Sequence, residues 1–170
     1  MAENAPDLRD AQTEMFGPLP GLRVTVQPTS ESADGLESWF SSTWPEIFGP
    51  GESGRHESPS FREWLGGSSG GTPSLFAVDG LPVGLLSYTT EGGKLSIFEL
   101  ATAPAYRDRG LGSEAVFTLE AQSRAHESAA YIPITNGLAI YFWLRVGYRP
   151  LFRSQHGRDG FSVMIRNLQP

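Results

Sequence analysis

The chain contains no cysteine, and this absence removes several kinds of chemistry at once. Without a thiol there is no disulfide, no thiolate metal ligand and no cysteine nucleophile. Lysine is almost as scarce, because Lys94 is the only lysine among the 13 basic residues. Acidic residues outnumber basic ones and leave a formal net charge of −6. That balance argues against a protein that binds nucleic acid through the phosphate backbone.

Long hydrophobic runs are also missing. The longest apolar stretch, Leu138 to Leu144, is far too short to cross a bilayer. The first ten residues, MAENAPDLRD, have neither a basic region nor an apolar stretch, so we expect no signal peptide. The sequence therefore predicts a soluble cytoplasmic protein with no membrane partner, and its 39% hydrophobic residues suffice for a folded core.

The hydrophobic pattern predicts an N-terminal arm (residues 1–20) followed by one domain (residues 21–170). In order, the domain has one strand, two helices, three strands, a long helix, a strand, a short helix and two closing strands. Asp79-Gly80 and Gly92-Gly93 are typical of hairpin turns, so we expect antiparallel pairing there. The long helix is predicted over residues 110–127 and the strand after it over residues 129–135. This order predicts an α+β, or mixed α/β, fold.

One short segment, Arg107 to Ser113, has the composition of an anion-binding site. It stands between a predicted strand and the long helix. The first N–H groups of a helix are unpaired and carry partial positive charge, and glycines allow a ligand to come close to them. The pattern therefore favours a pyrophosphate site. A plain surface turn is an alternative, and so is the dinucleotide pattern G-x-G-x-x-G/A over Gly110–Ala115, although hairpin-linked strands do not favour it.

Two segments together resemble the GNAT family of N-acetyltransferases. ELATAPAYRDRGLGSEAV is similar to the family's R/Q-x-x-G-x-G/A motif, matched by Arg107, Gly110 and Gly112. NGLAIYFWLRVGYRPL is similar to a second motif, in which an asparagine is followed by a short helix that ends in glycine and an aromatic residue. The predicted element order from Leu22 to Leu168 also resembles the family fold.

The resemblance implies a mostly antiparallel central sheet with one splayed parallel pair, flanked by helices. It implies acetyl-coenzyme A as co-substrate, held where strands 96–102 and 129–135 separate. The pyrophosphate would lie on the amides of Arg109 to Ser113, and the pantetheine would pair with the backbone of Leu100 and Thr102. The implied cofactor-binding residues are Leu100, Ala101, Thr102, Arg107, Asp108, Arg109, Gly110, Leu111, Gly112, Ser113 and Asn136. We also expect Asn136 to cap the short helix.

The resemblance further implies direct attack of an amine on the thioester, which requires a base and is helped by an acid. Glu99, on the strand that would line the cleft, is the candidate base; the alternative is a glutamate that faces solvent or pairs with arginine. The family's acid, a tyrosine, would stand where this chain has Trp143. Tyr141 is a second candidate, but it lies about 200° around a helix from Trp143.

The expected acceptor is a small-molecule amine, with a protein N-terminus or lysine as the second possibility. A non-catalytic module that binds coenzyme A, or another ligand, remains an alternative because of Trp143, and a nucleotide-binding oxidoreductase is a third. We expect no metal, since His56, His126 and His156 are scattered, and a monomer or homodimer. The resemblance places Trp39, Trp44, Phe48 and Trp64 where the family builds its acceptor pocket. We expect most of them to belong to the core and some to line the pocket, with Glu46 as the candidate group for a cationic amine.

Overall fold

The computed structural model of the chain describes residues 23–29, 61–67, 70–151 and 160–168. The predicted N-terminal arm, the predicted helix that contains Trp39 and Trp44, and the centre of the last predicted turn lie outside these residues. So do Glu46, Phe48, His56 and His156.

Seven strands form one mixed sheet in the order β1-β2-β3-β4-β5-β7-β6. Their bounds are β1 (Val24–Pro28), β2 (Thr72–Val78), β3 (Leu81–Glu91), β4 (Lys94–Thr102), β5 (Glu127–Pro133), β6 (Arg149–Pro150) and β7 (Phe161–Asn167). Three helices accompany them: α1 (Phe61–Leu65), α2 (Leu111–Ser123) and α3 (Gly137–Arg145). Within the described residues, β4 and β5 make the single parallel pair, and all other pairs are antiparallel. The predicted mixed α/β fold is confirmed.

Both predicted hairpin turns are present. Asp79 and Gly80 have φ values of 49° and 81°, and Gly92 and Gly93 have φ values of 58° and 76°. Two consecutive residues in the left-handed region are what a two-residue turn needs in order to match the twist of its strands. These turns set β2, β3 and β4 side by side, and β4 thereby becomes the strand that faces β5.

The long helix is shorter than its sequence pattern indicates. It ends at Ser123, because Arg124 adopts a left-handed φ of 52° at the C-terminal cap. Glu127, predicted as helical, instead begins β5 and pairs with Lys94 and Asn167. Strand β5 therefore spans residues 127–133 rather than 129–135, and the shift arises because pairing on both edges of β5 overrides local helical preference.

The main core lies between the sheet and the helices that follow β4. Side chains of α2, among them Val116 and Leu119, pack with Leu95 and Ile97 of β4 and with Ile132 of β5 in one buried cluster. Helix α3 adds Trp143 to the same cluster. This packing holds α2 and α3 against the parallel pair, on the side where the two strands part.

Strand β4 contains a bulge, which reverses the faces that its side chains occupy. Ile97 pairs with Tyr88 and Glu99 pairs with Ser87, so that Phe98 is an extra residue with no partner of its own. Before the bulge, Ile97 faces α2 and the core. After it, Glu99 lies with Ser87 on the opposite face, because neighbouring residues of β3 point to opposite sides of the sheet.

Gly84 of β3 has no room for a side chain, and this predicts a large cost for the smallest substitution. A Cβ atom there would overlap the ring of Phe76, which is fully buried, and the carbonyl oxygen of Ala101. We expect Gly84→Ala to lower the free energy of unfolding by about 1–3 kcal/mol, as overpacking of a filled core does. Urea unfolding measures it. Gly137→Ala is the matched control, because a Cβ atom there meets nothing within 4 Å; equal losses in both variants would contradict the prediction.

Candidate active site

A cleft opens where the two parallel strands stop pairing. The β4–β5 ladder runs from Lys94 and Glu127 to Ile97 and Ala130 and then ends, although both strands continue. Between their separated ends lies a cavity of about 160 Å³. Its described lining consists of Ile97, Phe98, Glu99, Leu100, Thr102, Gly112, Tyr131, Ile132, Pro133, Ala139, Phe142 and Trp143. The strands, α2 and α3 thus all contribute to one site.

The open edge of β4 offers backbone hydrogen-bonding groups to this cleft. The N–H of Ala103 donates to the carbonyl of Val83 across the β3–β4 pair at 2.9 Å. Peptide groups along a strand point alternately to its two edges. Those of Leu100 and Thr102 therefore point away from β3, toward the edge that β5 has left. An extended ligand in the cleft can pair with them as an added strand does.

The loop before α2 ends beside the same cleft with its backbone in unusual conformations. Asp108 and Gly110 have left-handed φ values of 61° and 75°. The first bond of the helix is donated by the N–H of Glu114 to the carbonyl of Gly110 at 3.1 Å. The N–H groups of Leu111, Gly112 and Ser113 therefore have no partner within the helix, and Gly110 at the N-cap has no side chain to accept from them. This end of α2 can bind an anion.

Two arginines flank the loop on its exposed side. The Nε–H of Arg107 donates to the carbonyl of Thr102 at 3.2 Å, and the guanidinium of Arg109 lies 5.8 Å from the centroid of the Tyr106 ring. The first contact fastens the loop to the end of β4. The second places a positive charge near the start of α2. Both charges add to the attraction that the helix terminus exerts on an anion.

Glu99 is a buried carboxylate within the described lining of the cavity, where it is the only charged residue. Its side chain is 6% exposed. The indole N–H of Trp64 donates to Glu99 Oε2 at 3.1 Å, and the hydroxyl of Ser87 donates to the same oxygen. These bonds orient the carboxylate on the face opposite α2. The alternative of a solvent-facing glutamate does not describe its position.

Trp143 and Tyr141 occupy opposite environments on α3. Trp143 is 5% exposed, lines the cavity and packs edge-on against the rings of Phe142 and Tyr148, at centroid distances of 5.3 and 4.7 Å. Tyr141 is 60% exposed, and the guanidinium of Arg145 lies 5.8 Å from its ring centroid. Trp143 thus faces the cleft, whereas Tyr141 is on the outer side of the helix.

Two other residues predicted to bind the cofactor, Asn136 and Ala101, have structural roles. Asn136 caps α3, since its Oδ1 accepts from the N–H of Ala139 at 3.0 Å, as we expected. Ala101 is 6% exposed and lies on the face opposite Leu100 and Thr102. A coenzyme contact for either residue stays a prediction.

A buried polar network supports the wall of the cleft from behind. The hydroxyl of Tyr148 donates to Glu120 of α2 at 2.8 Å and lies 2.5 Å from the hydroxyl of Ser128 in β5. Glu120 also pairs with Arg166 of β7 at 3.2 Å, and Arg166 donates to the carbonyl of Val146 at 3.0 Å. Burial raises the pKa of Glu120 above its ordinary value, although Arg166 and Tyr148 act to lower it. Burial and the neighbouring carboxylate also raise the pKa of Tyr148.

Several lining residues were not identified from the sequence. Phe98 and Tyr131 line the cavity from its two strands, and Phe142 lines it from α3. No local pattern marks them, because an aromatic residue in a strand or an apolar helix is more often core. What distinguishes them is the bulge and the end of the β4–β5 ladder, both of which depend on residues far apart in the sequence.

Comparison with known proteins gives the chain its family. The model of the acetyltransferase (GNAT) family matches residues 33–148. Since the match spans more than half of the sequence, the chain belongs to this family, as its two motifs had indicated. The acyl donor of the family is acetyl-coenzyme A, in agreement with the predicted co-substrate. No curated protein sequence is significantly similar to the chain.

Solved structures of acetyltransferases share the fold. The PaiA N-acetyltransferase from Thermoplasma acidophilum, in complex with coenzyme A, has a TM-score of 0.62 and 13% identity over 86% of this chain and 99% of its own. The ribosomal-protein-S18-alanine N-acetyltransferase from Escherichia coli has a TM-score of 0.56 and 14% identity over 87% and 96%. N-acetylglutamate synthase from Neisseria gonorrhoeae, with coenzyme A and N-acetyl-glutamate, has a TM-score of 0.61 and 18% identity over 87% and 36%.

The described residues were also compared with the requirements for a metal site and for a membrane-spanning helix. No group of three or more His, Asp or Glu side chains among them is arranged to hold a metal ion. None of the helices α1 to α3 has the length and hydrophobicity that crossing a membrane requires.

The raised pKa of Glu120 predicts a pH-dependent cost to stability. An unfolded glutamate releases its proton near pH 4.5, whereas folded Glu120 releases it at higher pH. Between these values the folded chain holds more protons, so its stability falls as the pH rises. Relative to Glu120→Gln, the wild type should lose about 1.4 kcal/mol for each unit of pKa elevation. Urea unfolding at pH 4, 5, 6 and 7 measures the difference; one that stays constant would contradict the raised pKa. Glu91→Gln removes an exposed carboxylate and is the control.

Proposed function

We propose that this protein transfers the acetyl group of acetyl-coenzyme A to the amine of a small molecule. The observation that carries the proposal is a single cleft with two complementary features. Unpaired backbone of β4 faces the gap to β5, and the uncapped first turn of α2 stands at the cleft's open end. A ligand with an amide-containing arm and a pyrophosphate needs both features, side by side.

The residues from Arg107 to Ser113, here called the cradle, would bind the pyrophosphate with two kinds of group. The N–H groups of Leu111, Gly112 and Ser113 would donate to the pyrophosphate, and the guanidinium groups of Arg107 and Arg109 would add charge. A Cβ atom at Gly112 would touch Phe142 and the Thr102 hydroxyl at 3.4 Å, so a side chain larger than a methyl group would project into this corner of the cleft.

The peptide groups of Leu100 and Thr102 would hold the pantetheine arm along β4. The carbonyl of Thr102 already accepts from Arg107, so the arginine connects the strand edge to the pyrophosphate end. This arrangement directs the arm away from α2 and toward Ile97 and Ala130, the pair at which the β4–β5 ladder ends. The reacting end of the co-substrate would therefore lie close to Phe98, Glu99 and Trp143.

Bound acetyl-coenzyme A supplies an acyl thioester, and the chain's own residues position and deprotonate the amine. Glu99 would accept the proton of the incoming ammonium, directly or through one water. Trp64 and Ser87 hold its carboxylate in place by donating to Oε2. Trp143 would wall the cleft and can donate a hydrogen bond, but an indole N–H does not serve as a proton acid. We assign no proton transfer to Tyr141, because its ring is on the exposed side of α3.

The acceptor class is inferred from charge. The chain carries a net charge of −6, and the charged group in the described lining of the cleft is a carboxylate. Both favour a cationic amine over an acidic acceptor. The solved relatives include one named for a small-molecule product and one named for a ribosomal protein. A peptide amine is therefore the second acceptor to test.

The two other classes of function have less support. A binding module without transfer would account for Trp143, but it would not need a carboxylate held by two donors beside the cleft. The described strands meet one structural requirement of the oxidoreductase alternative, since β4, α2 and β5 form a βαβ unit. They do not meet the other, a repeated parallel sheet, because β4–β5 is the one parallel pair among them.

The proposed pyrophosphate site at the start of α2 predicts that a large side chain at Gly112 weakens co-substrate binding. We expect the wild type to bind acetyl-coenzyme A with a micromolar dissociation constant, and Gly112→Trp to weaken binding at least tenfold, about 1.4 kcal/mol. Titration calorimetry measures both. Gln122→Trp adds the same bulk at the exposed far end of α2 and should bind like the wild type. If Gly112→Trp binds normally, the cradle is misplaced; if the wild type does not bind, the proposed function is wrong.

Turnover tests the reaction and the role of Glu99. We expect free thiol to be released when acetyl-coenzyme A is mixed with at least one member of a panel of cationic small amines, and less from a panel of peptides. Glu99→Gln should lower kcat by roughly 10²–10⁴-fold, the usual contribution of a positioned base, and leave the affinity for acetyl-coenzyme A unchanged. Glu91→Gln, an exposed carboxylate on β3, is the control. Full kcat in Glu99→Gln would exclude the base, and release with peptides alone would exclude the small acceptor.

A further inference from the structure

Two aromatic rings bridge the cleft where β4 and β5 begin to separate. Phe98 of β4 and Tyr131 of β5 stack with a centroid distance of 5.3 Å and an interplanar angle of 21°. Each residue directly follows the last pair of the ladder, Ile97 with Ala130. Side-chain stacking thus replaces backbone hydrogen bonding as the contact between the strands, and both rings belong to the lining of the cavity.

The rings lie on the face of the sheet that is opposite α2. Ala130 and Ile132 belong to the core beneath α2, so Tyr131, which alternates with them along β5, points to the other face. Phe98 meets it there because Phe98 is the extra residue of the bulge. A ligand that enters from the α2 side therefore meets these two rings at the inner end of the cleft.

The Phe98 ring also lies close to Gly71. A Cβ atom at Gly71 would approach the Phe98 ring to 2.9 Å and the Tyr88 backbone nitrogen to 2.8 Å, so the ring fits there only because Gly71 has no side chain. Phe98 thus has close neighbours in Gly71 and in Tyr131. Close packing of this kind disfavours displacement of the ring.

We propose that Phe98 and Tyr131 together limit the length of the acyl group that the site accepts. This inference rests on the proposed function, because it places the acyl end of the co-substrate at the inner end of the cleft. Helix α2 and its uncapped N–H groups mark the outer end, and the ladder closes the inner one. The rings then form the wall against which the acyl chain ends.

The position of the rings sets the expected limit. Phe98 and Tyr131 line the cavity of about 160 Å³ directly beyond the last pair of the ladder. A butyryl group extends two methylene groups further toward them than an acetyl group does. One extra methylene group in an apolar pocket changes discrimination by roughly 10–200-fold.

The test compares the affinities of coenzyme A, acetyl-coenzyme A and butyryl-coenzyme A by titration calorimetry, which needs no acceptor. The wild type should bind butyryl-coenzyme A at least about tenfold more weakly than acetyl-coenzyme A. Phe98→Ala and Tyr131→Ala should each reduce this ratio to about threefold or less, with no change in affinity for coenzyme A itself. Tyr131→Phe keeps the ring and should keep the wild-type ratio.

The outcomes separate this inference from the proposed function. If the wild type binds coenzyme A and both thioesters equally well, the limit on length is wrong while the proposed function stands. If both alanine variants keep the wild-type ratio, the rings are not the wall. If the wild type binds no coenzyme A, the proposed function fails first. Thermal unfolding checks that each variant is folded. Because the two alanine substitutions are in different strands, one folded variant is sufficient for the test. The ratio of the wild-type affinities for acetyl- and butyryl-coenzyme A can overturn the proposal even without the variants.

Discussion

The separation of β4 from β5 is the constraint on which the site depends. The two strands pair over four residues each and then part, so that β5 does not pair with the peptide groups of Leu100 and Thr102, and the Thr102 carbonyl accepts from Arg107 instead. Exposed strand edges are costly unless something pairs with them. Here the edge lies inside a cleft, beside the open end of α2. The same feature that weakens the sheet thereby creates a cavity with backbone hydrogen-bonding groups along one side.

The fold compensates for this gap with contacts on both faces of the sheet. On one face, α2 and α3 pack across the two strands, and the network of Tyr148, Glu120 and Ser128 connects α2, β5 and the segment after α3. On the other face, Phe98 and Tyr131 stack across the gap. Buried polar networks of this kind favour one arrangement of the elements they connect. These contacts hold the two separated strands in fixed positions although they no longer pair with each other.

Glu99 shows how a single bulge changes the chemistry available to the site. In a regular strand it would share a face with Leu95 and Ile97 and would be directed into the core beneath α2. The extra residue, Phe98, moves it to the other face, where Trp64 and Ser87 donate to it. Burial of a carboxylate is acceptable only with such partners. A local irregularity of the backbone thus determines whether a titratable group is available beside the cleft.

Much of the fold and part of the site follow from local sequence. Hairpin turns at Asp79-Gly80 and Gly92-Gly93 could be predicted because two left-handed residues in succession require such side chains. The start of α2 could be predicted because Gly110 and Gly112 leave its first N–H groups uncovered. The family could be named from two motifs, since each requires particular residues at short spacing. Errors occurred at the end of α2 and the start of β5, where pairing with Lys94 and Asn167 overrides the helical pattern.

The sequence by itself determined the hairpin turns, the glycine-rich start of α2 and the family, because each rests on residues close together in the chain. Tertiary structure alone decided where the β4–β5 ladder stops, to which face Glu99 points, and that Phe98 meets Tyr131. Those features depend on strand register, on which no short segment carries information. A shift of one residue in pairing exchanges the two faces of a strand, so only the assembled sheet specifies which side chains surround the cleft.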